Sequence, residues 1–282
     1  MRPLLLLATC AAVRLGCGSS QQPPSSPAAE WWAHVERLAS DEMEGRKTGT
    51  EGHRQAVAYV ADHFRRLGLQ PAGTEGFRQP VALETVKLLE EQSQLELRRG
   101  NTRIPLRFGT HAILLPAGTA GQVRGEMVFA GYGLTIPEHG VDELDGLDVR
   151  GKVVVFLEGA PDGVPSTVAA HYSSPEQMQR ALARRGAVGL MMIANPRLVE
   201  IPWERLAAMR AQFTQSMRHA DPELKREQNL ALAAYLNPAE AAVLFDGSGH
   251  SLDRILADDA ARRPLGRFGV NGVLIATGGY RP

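Results

Sequence analysis

Cysteine is almost missing from this chain: Cys10 and Cys17 are the only two, and both lie near the start of its 282 residues. Everything after them therefore has no disulfide, no thiolate nucleophile and no thiolate metal site. An excess of one charge sign is missing too. Lys plus Arg and Asp plus Glu each number 31, so no bulk field recruits nucleic acid or an anionic membrane surface. Past the first residues no segment is long or apolar enough to be a transmembrane helix. A Gly-x-Ser-x-Gly elbow, a phosphate loop and a His-Glu-x-x-His set are all absent.

What remains is ordinary globular composition, 44% hydrophobic and 22% charged, ample for a buried core. The first residues, MRPLLLLATCAAVRLGCGSS, read as an export leader over residues 1–17. Arg2 supplies the positive end, and Leu4 to Val13 is an apolar run too short to span a bilayer stably. The Ser/Gln/Pro tract of residues 18–26 cannot form a core and reads as a linker. Cys17, between Gly16 and Gly18-Ser19-Ser20, resembles a bacterial lipoprotein cleavage site at which the cysteine is lipidated. Arg14 departs from that pattern, where an aliphatic residue is usual. The expected location is exported: secreted, periplasmic, or held at the outer membrane only through a lipid on Cys17.

Ser26-Pro27 predicts a capped helix start, with Trp31, Val35 and Leu38 on one face. Gly45, Gly49 and Gly52 punctuate a loop, and Thr50 caps a second helix. Ala56, Val57, Val60, Phe64 and Leu67 form the stripe of that helix, which Gly68 and Pro71 end. Two helices of this size cannot bury their apolar faces alone, and they call for a sheet.

From Gly76 onward the pattern predicts strands. Phe77 to Glu84 and Leu95 to Arg99 alternate, and Arg99-Gly100-Asn101 suggests a hairpin turn. Val123 to Tyr132 is a strand ending in the bend AGYGL. Lys152 to Leu157 is a continuous apolar run of the kind buried on both faces. Pro175 to Arg185 suits a helix, and Leu190 to Ala194 a second buried strand, giving a strand-helix-strand crossover. Residues 201–228 contain a helix, Leu230 to Leu236 a strand, and Pro238 to Phe245 a helix capped by Asn237. A short helix over Ser251 to Ala257 and a strand over Val270 to Thr277 complete the series.

Three stretches carry a family resemblance. LASDEMEGRKTGTEGHRQAVAYVADHFRRLGLQPAG, residues 38–73, resembles the opening of exported zinc aminopeptidases of the bacterial leucine aminopeptidase type. Residues 129–163 and 181–196 resemble the protease-associated domain inserted near the front of many such enzymes. The resemblance implies a fold between α/β and α+β: helices of a peptidase domain over 27–75, then a β-rich open barrel with flanking helices over 76–265. Residues 266–282 would be a return strand and the start of a catalytic domain. It further implies that the complete family member holds two zinc ions on ligands absent from this chain. The expected role is the N-terminal portion of an aminopeptidase-like protein, its inserted domain shaping substrate access or protein contacts. The alternative is a stand-alone, non-catalytic envelope module that binds peptides or proteins.

No catalytic, cofactor or metal residue is assigned. The family's first ligand pair is His-x-Asp, and the local look-alike is His171-Tyr172-Ser173, with serine in the bridging position. His34, His53, His63, His111, His139, His219 and His250 are scattered and read as solvated. The acidic run Glu138, Asp142, Glu143, Asp145 and Asp148 lacks the alternation of a calcium loop and reads as a solvated turn. Glu44-Gly45-Arg46 reads as a supporting loop. Gly131-Tyr132-Gly133 lacks the third glycine of a nucleotide fingerprint and reads as a strand bend. Trp31 and Trp32 read as one core and one surface residue.

Overall fold

The computed structural model describes residues 26–115, 121–209, 214–217 and 230–281. The residues read as leader and most of those read as linker, with Cys10, Cys17 and His219, lie outside these. The chain divides into two compact units, Met1–Pro80 and Val81–Pro282.

The first unit carries two helices, α1 (Pro27–Leu38) and α2 (Glu51–Arg66), around a 3₁₀ segment, Asp41–Arg46. Both helix starts are held as the sequence implies. Ser26 Oγ accepts the Ala29 N–H at 3.2 Å, and Thr50 Oγ1 accepts that of His53 at 3.3 Å. These caps satisfy amides that have no carbonyl partner in the first turn. At the far end of α2, Gly68 takes φ +71° and the Leu69 N–H returns to the Phe64 carbonyl at 3.1 Å. Met43, fully buried, presses its carbonyl against the first turn of α2 at Gly52. A Cβ at position 52 would lie 1.9 Å from that oxygen, so only glycine fits.

The apolar stripe is largely uncovered. Ala56 and Ala61 are buried, whereas Trp31, Trp32, Leu67 and Leu69 are each at least half exposed. Both tryptophans are therefore surface residues, and the expected division into one core and one surface ring does not hold.

The second unit is built on an eight-stranded sheet that curls into a half-barrel. Its strands are β2 (Gln94–Arg99), β3 (Thr102–Pro105), β4 (Ala112–Leu114), β5 (Gly121–Ala130), β8 (Val153–Leu157), β9 (Gly189–Ile193), β11 (Leu232–Leu236) and β12 (Arg267–Gly278). Their order is β3-β2-β12-β5-β8-β9-β11-β4. β5, β8, β9 and β11 run parallel, and the remaining pairings are antiparallel. All five residues of β8 are buried, which is why its sequence is continuously apolar. Two smaller sheets complete the unit. One joins β10 (Thr214–Met217), β1 (Leu83–Leu88) and β13 (Tyr280–Arg281); the other pairs β6 (Thr135–Ile136) with β7 (Val141–Asp142).

Helices α3 (Ser166–Tyr172) and α4 (Pro175–Arg184) connect β8 to β9; α5 (Trp203–Met209) and α6 (Leu252–Ala260) follow. Phe129 packs edge-on against Phe245 at 5.6 Å and tilted against Phe268 at 5.2 Å, joining β5, β12 and the turn before α6. Burying each such side chain contributes about 2 kcal/mol. Asn271-Gly272 form a bulge in β12, tied down by Arg99, whose guanidinium donates to the carbonyls of Asn271 and Leu244. The fold class is therefore the expected one, helices followed by a β-rich, partly open barrel.

Several elements differ from expectation. Residues 77–82 are not in a strand, and β1 begins at Leu83. The expected helix over Pro238 to Phe245 is a turn and one 3₁₀ segment, Ala241–Leu244. Asn237 does cap it, its Oδ1 accepting the Ala239 N–H at 3.1 Å, but the segment is too short to propagate as an α-helix. Residues 166–172 form the unanticipated helix α3.

Candidate functional site

Parallel strands deliver their carboxyl ends to one edge of a sheet, and the loops that leave there form a crevice. β8 ends at Leu157 and β9 at Ile193, and the Glu158 N–H still bonds the Ile193 carbonyl at 2.9 Å. Beyond this point the chain turns away through Gly159-Ala160-Pro161-Asp162-Gly163 toward α3. A cleft of about 670 Å³ opens between this loop, α4, the segment after β9 and the end of α6. Its apolar lining includes Phe156, Leu157, Met178, Met192 and Leu198.

Tyr132 forms one wall, and Gly159 explains how the wall can sit so close. Gly159 adopts φ +146°, and a Cβ there would lie 2.9 Å from the Tyr132 ring. The backbone N–H groups of Gly159, Ala160, Asp162 and Gly163 bond nothing among the described residues. Unbonded main-chain donors on residues that line a cleft can take acceptors from an extended chain.

Behind the lining lies a polar network that is closely matched. Asp259, only 5% exposed, accepts the Tyr132 hydroxyl at 2.9 Å and Asn195 Nδ2 at 3.1 Å. Arg197 Nε stands 3.3 Å from the same carboxylate, and its Nη1 donates to the Asp259 carbonyl at 3.1 Å. Asn195 is fully buried and fully used. Its second amide hydrogen goes to the Glu158 carbonyl at 3.0 Å, and its Oδ1 takes the Arg197 N–H at 3.0 Å. Glu158 Oε2 accepts the Tyr235 hydroxyl at 2.6 Å. Burial, then the adjoining carboxylate, pushes both phenols well above the usual tyrosine range, so each is a donor only. Buried charge that is paired and hydrogen-bonded in this way positions a wall without inviting water.

A second cleft of about 370 Å³ shares Tyr132, Pro161, Asp162 and Arg262 with the first and is lined also by Asp142, Glu143, Arg263 and Arg267. Glu143 is directed inward there. Its Oε1 accepts the Tyr132 N–H at 3.3 Å and its Oε2 the Leu134 N–H at 3.1 Å. Burial pushes its carboxyl up to about 7, against those two bonds and the nearby Arg267.

No family model matches this chain, and no curated protein matches it. Solved structures similar to it include the aminopeptidase from Aneurinibacillus sp. strain AM-1, at 13% identity and TM-score 0.36. The zinc aminopeptidase from Bacillus subtilis is similar at 9% identity and TM-score 0.34. The match covers 88% of this chain in both cases, but 48% of the first protein and 42% of the second. The chain thus spans less than half the length of either.

Among the described residues, no group of three or more His, Cys, Asp or Glu side chains is placed to hold a metal ion. The described residues therefore do not fit a two-zinc centre. His171 is exposed on α3, its ring edge-on to Tyr172 at 4.9 Å. Tyr172 in turn donates to Glu138 at 2.7 Å. The acidic run disperses: Asp142 faces Arg185, and Asp148 faces Lys152. It is no calcium loop, but Glu143 corrects the reading of a wholly solvated turn.

Four of the histidines read as solvated prove partnered, His111 among them, its Nδ1 accepting the Arg107 N–H at 3.2 Å. His34 and His63 meet edge-on at 4.4 Å between α1 and α2, and His34 Nδ1 lies 2.6 Å from the Tyr59 hydroxyl. His250 stacks on Phe268 at 3.5 Å. Glu44, Gly45 and Arg46 all take positive φ, forming a tight left-handed turn. Asn195, Glu158, Tyr235 and Asp259 escaped sequence reasoning. Asn195, Glu158 and Tyr235 are lone polar residues beside apolar or glycine neighbours, Asp259 follows another aspartate, and no spacing links the four.

Proposed function

We propose that the second unit is a peptide- or protein-contacting module of an exported, aminopeptidase-like protein. The larger cleft is its contact site, and the module shapes access rather than performing hydrolysis. The observation that carries this reading is the cleft itself: an apolar floor, a rim of unused main-chain N–H groups, and buried polar groups that are already paired. Such a site can seat an apolar side chain and bond an extended backbone. It offers no nucleophile held by a base. Ser166 and Ser173 line the cleft, yet neither hydroxyl bonds a histidine or a carboxylate among the described residues.

The three ordered sequence stretches support the family assignment. On this reading residues 27–75 belong to a peptidase-like domain, 76–265 form a protease-associated-like insert, and 266–282 return toward the catalytic part. Peptide-bond hydrolysis would need a zinc-bearing segment other than these, and Cys17 would carry a lipid if the leader is processed as a lipoprotein. The half-exposed apolar residues of α1 and α2 fit helices that pack on a further sheet.

The test uses the purified full chain and a fluorescent apolar hexapeptide. Micromolar binding that Met192→Glu abolishes, without loss of folding, supports the contact site. Binding unaffected by that substitution would remove the cleft from the account. Zinc-dependent release of an aminoacyl-anilide by this chain would overturn the non-catalytic assignment.

A further inference from the structure

Tyr132, which lines both clefts, sits in a tight glycine-flanked turn. Gly131 and Gly133 both take the left-handed conformation, φ +62° and +69°, on either side of Tyr132. The Gly133 N–H closes the bend on the Ala130 carbonyl at 2.8 Å, and the N–H groups of Leu157 and Glu143 hold the carbonyls of Gly131 and Leu134 at 2.9 and 3.0 Å, which leaves the Tyr132 N–H to a side chain. The next two contacts come from a side chain, the carboxylate of Glu143 on the N–H groups of Tyr132 and Leu134. Glu143 lies so near that a Cβ on Gly131 would stand 2.6 Å from its Oε1. One carboxylate thus spans the residue whose ring lines both clefts.

We infer that Glu143 is a proton-operated clasp on Tyr132: ionised, it fixes the wall shared by the two clefts, and protonated, it lets that wall loosen. The chemistry is that of acceptor count. A carboxylate can accept both N–H bonds with full strength, whereas a carboxylic acid keeps one good acceptor and turns the other oxygen into a hydroxyl donor. The Leu134 bond is the shorter, so Tyr132 is the residue that loses its partner.

The groups facing Glu143 leave it free to change state. Arg267 on β12 donates to the carbonyls of Asp142, Glu143 and Asp145 rather than to the carboxylate. Asp142 on β7 is turned to Arg185, Thr135 and the Leu144 N–H. The Tyr132 hydroxyl is committed to Asp259. Across the smaller cleft, Arg262 pairs with Asp162, and Arg263 with Asp258. The elevated carboxyl of Glu143 sets the change near neutral pH.

The consequence for ligand binding rests on the larger cleft being a contact site; the clasp itself does not. Site-resolved amide exchange of the full chain at pH 5.5 and 8.5, corrected for intrinsic rates, tests the clasp. Protection of the Tyr132 amide should be about tenfold lower at pH 5.5, following the titration of the Glu143 carboxyl, while Leu134 changes little. Glu143→Gln should show the low value at both pH values. Glu143→Asp, shorter by one methylene but still charged, should do the same and covers the case in which the glutamine variant does not fold. Equal protection at the two pH values, or the same pH dependence in Glu143→Gln, would sink the inference. The labelled hexapeptide then reads the consequence: affinity several-fold higher at pH 8.5 in the parent chain and flat in the variant. A peptide that binds at no pH overturns the contact site alone, since the exchange data still decide the clasp.

Discussion

The Tyr132 hydroxyl donates to Asp259 across 2.9 Å, although 127 residues separate the two in the chain. This contact joins the bend after β5 to the last turn of α6 and closes the back of the larger cleft. Asp259 is nearly inaccessible, so its charge depends on Tyr132, Asn195 and Arg197 for compensation.

Replacing either partner should cost stability unequally. Tyr132→Phe removes one donor and leaves the carboxylate two others, an expected loss of about 1–2 kcal/mol. Asp259→Ala strips the acceptor from Tyr132, Asn195 and Arg197 together, and about 3–5 kcal/mol is expected. Urea denaturation with an unchanged slope would measure both.

Glu143 should make stability fall as pH rises. Burial raises its carboxyl to about 7, above the ordinary 4.5 of a glutamate. The group's contribution is therefore fully present below 4.5 and is lost as pH rises through about 7, a span worth on the order of 3 kcal/mol. Glu143→Gln should flatten that part of the stability-pH curve. Global stability and protection of the Tyr132 amide should thus move in opposite directions with pH, because burial penalises the anion that the bend uses as its acceptor.

Gly52→Ala should disrupt the first unit specifically. The added methyl would meet the Met43 carbonyl at 1.9 Å, and backbone cannot yield as a flexible side chain can. A loss above about 2 kcal/mol is expected. Circular dichroism and exchange across Asp41–Arg66 should show the helix start frayed while β8 stays protected.

Exchange in the parent chain should also separate the two units. α1 has no buried residue, whereas every residue of β8 is buried. The amides of α1 should exchange faster than those of β8. Uniform protection in the two would show that the helices are held by contacts other than their own.

Much of the fold was legible because it rests on short-range chemistry. Ser26, Thr50 and Gly68 act within four residues of themselves, so caps and stops could be read directly. The run from Val153 to Leu157 announced a doubly covered strand, since no alternating pattern survives when both faces are buried. The segment before β1 misled for the complementary reason. Alternation over Phe77 to Glu84 has the period of a strand, but residues 77–82 pair with no neighbouring strand. The 3₁₀ segment after Asn237 was misjudged in length, because a cap marks a beginning and says nothing of how far the helix runs.

The chain alone determined its caps, its central parallel strands, its balanced charge and the absence of cysteine after Cys17, all of which are properties of neighbouring residues. Tertiary structure alone decided that Glu143 points inward, that Asn195 bridges two carboxyl-bearing residues, and that Tyr132 lines two clefts. Those relationships arise where the parallel strands end and distant loops converge. A polar side chain carries no local sign of which far-off partner will satisfy it once water is excluded.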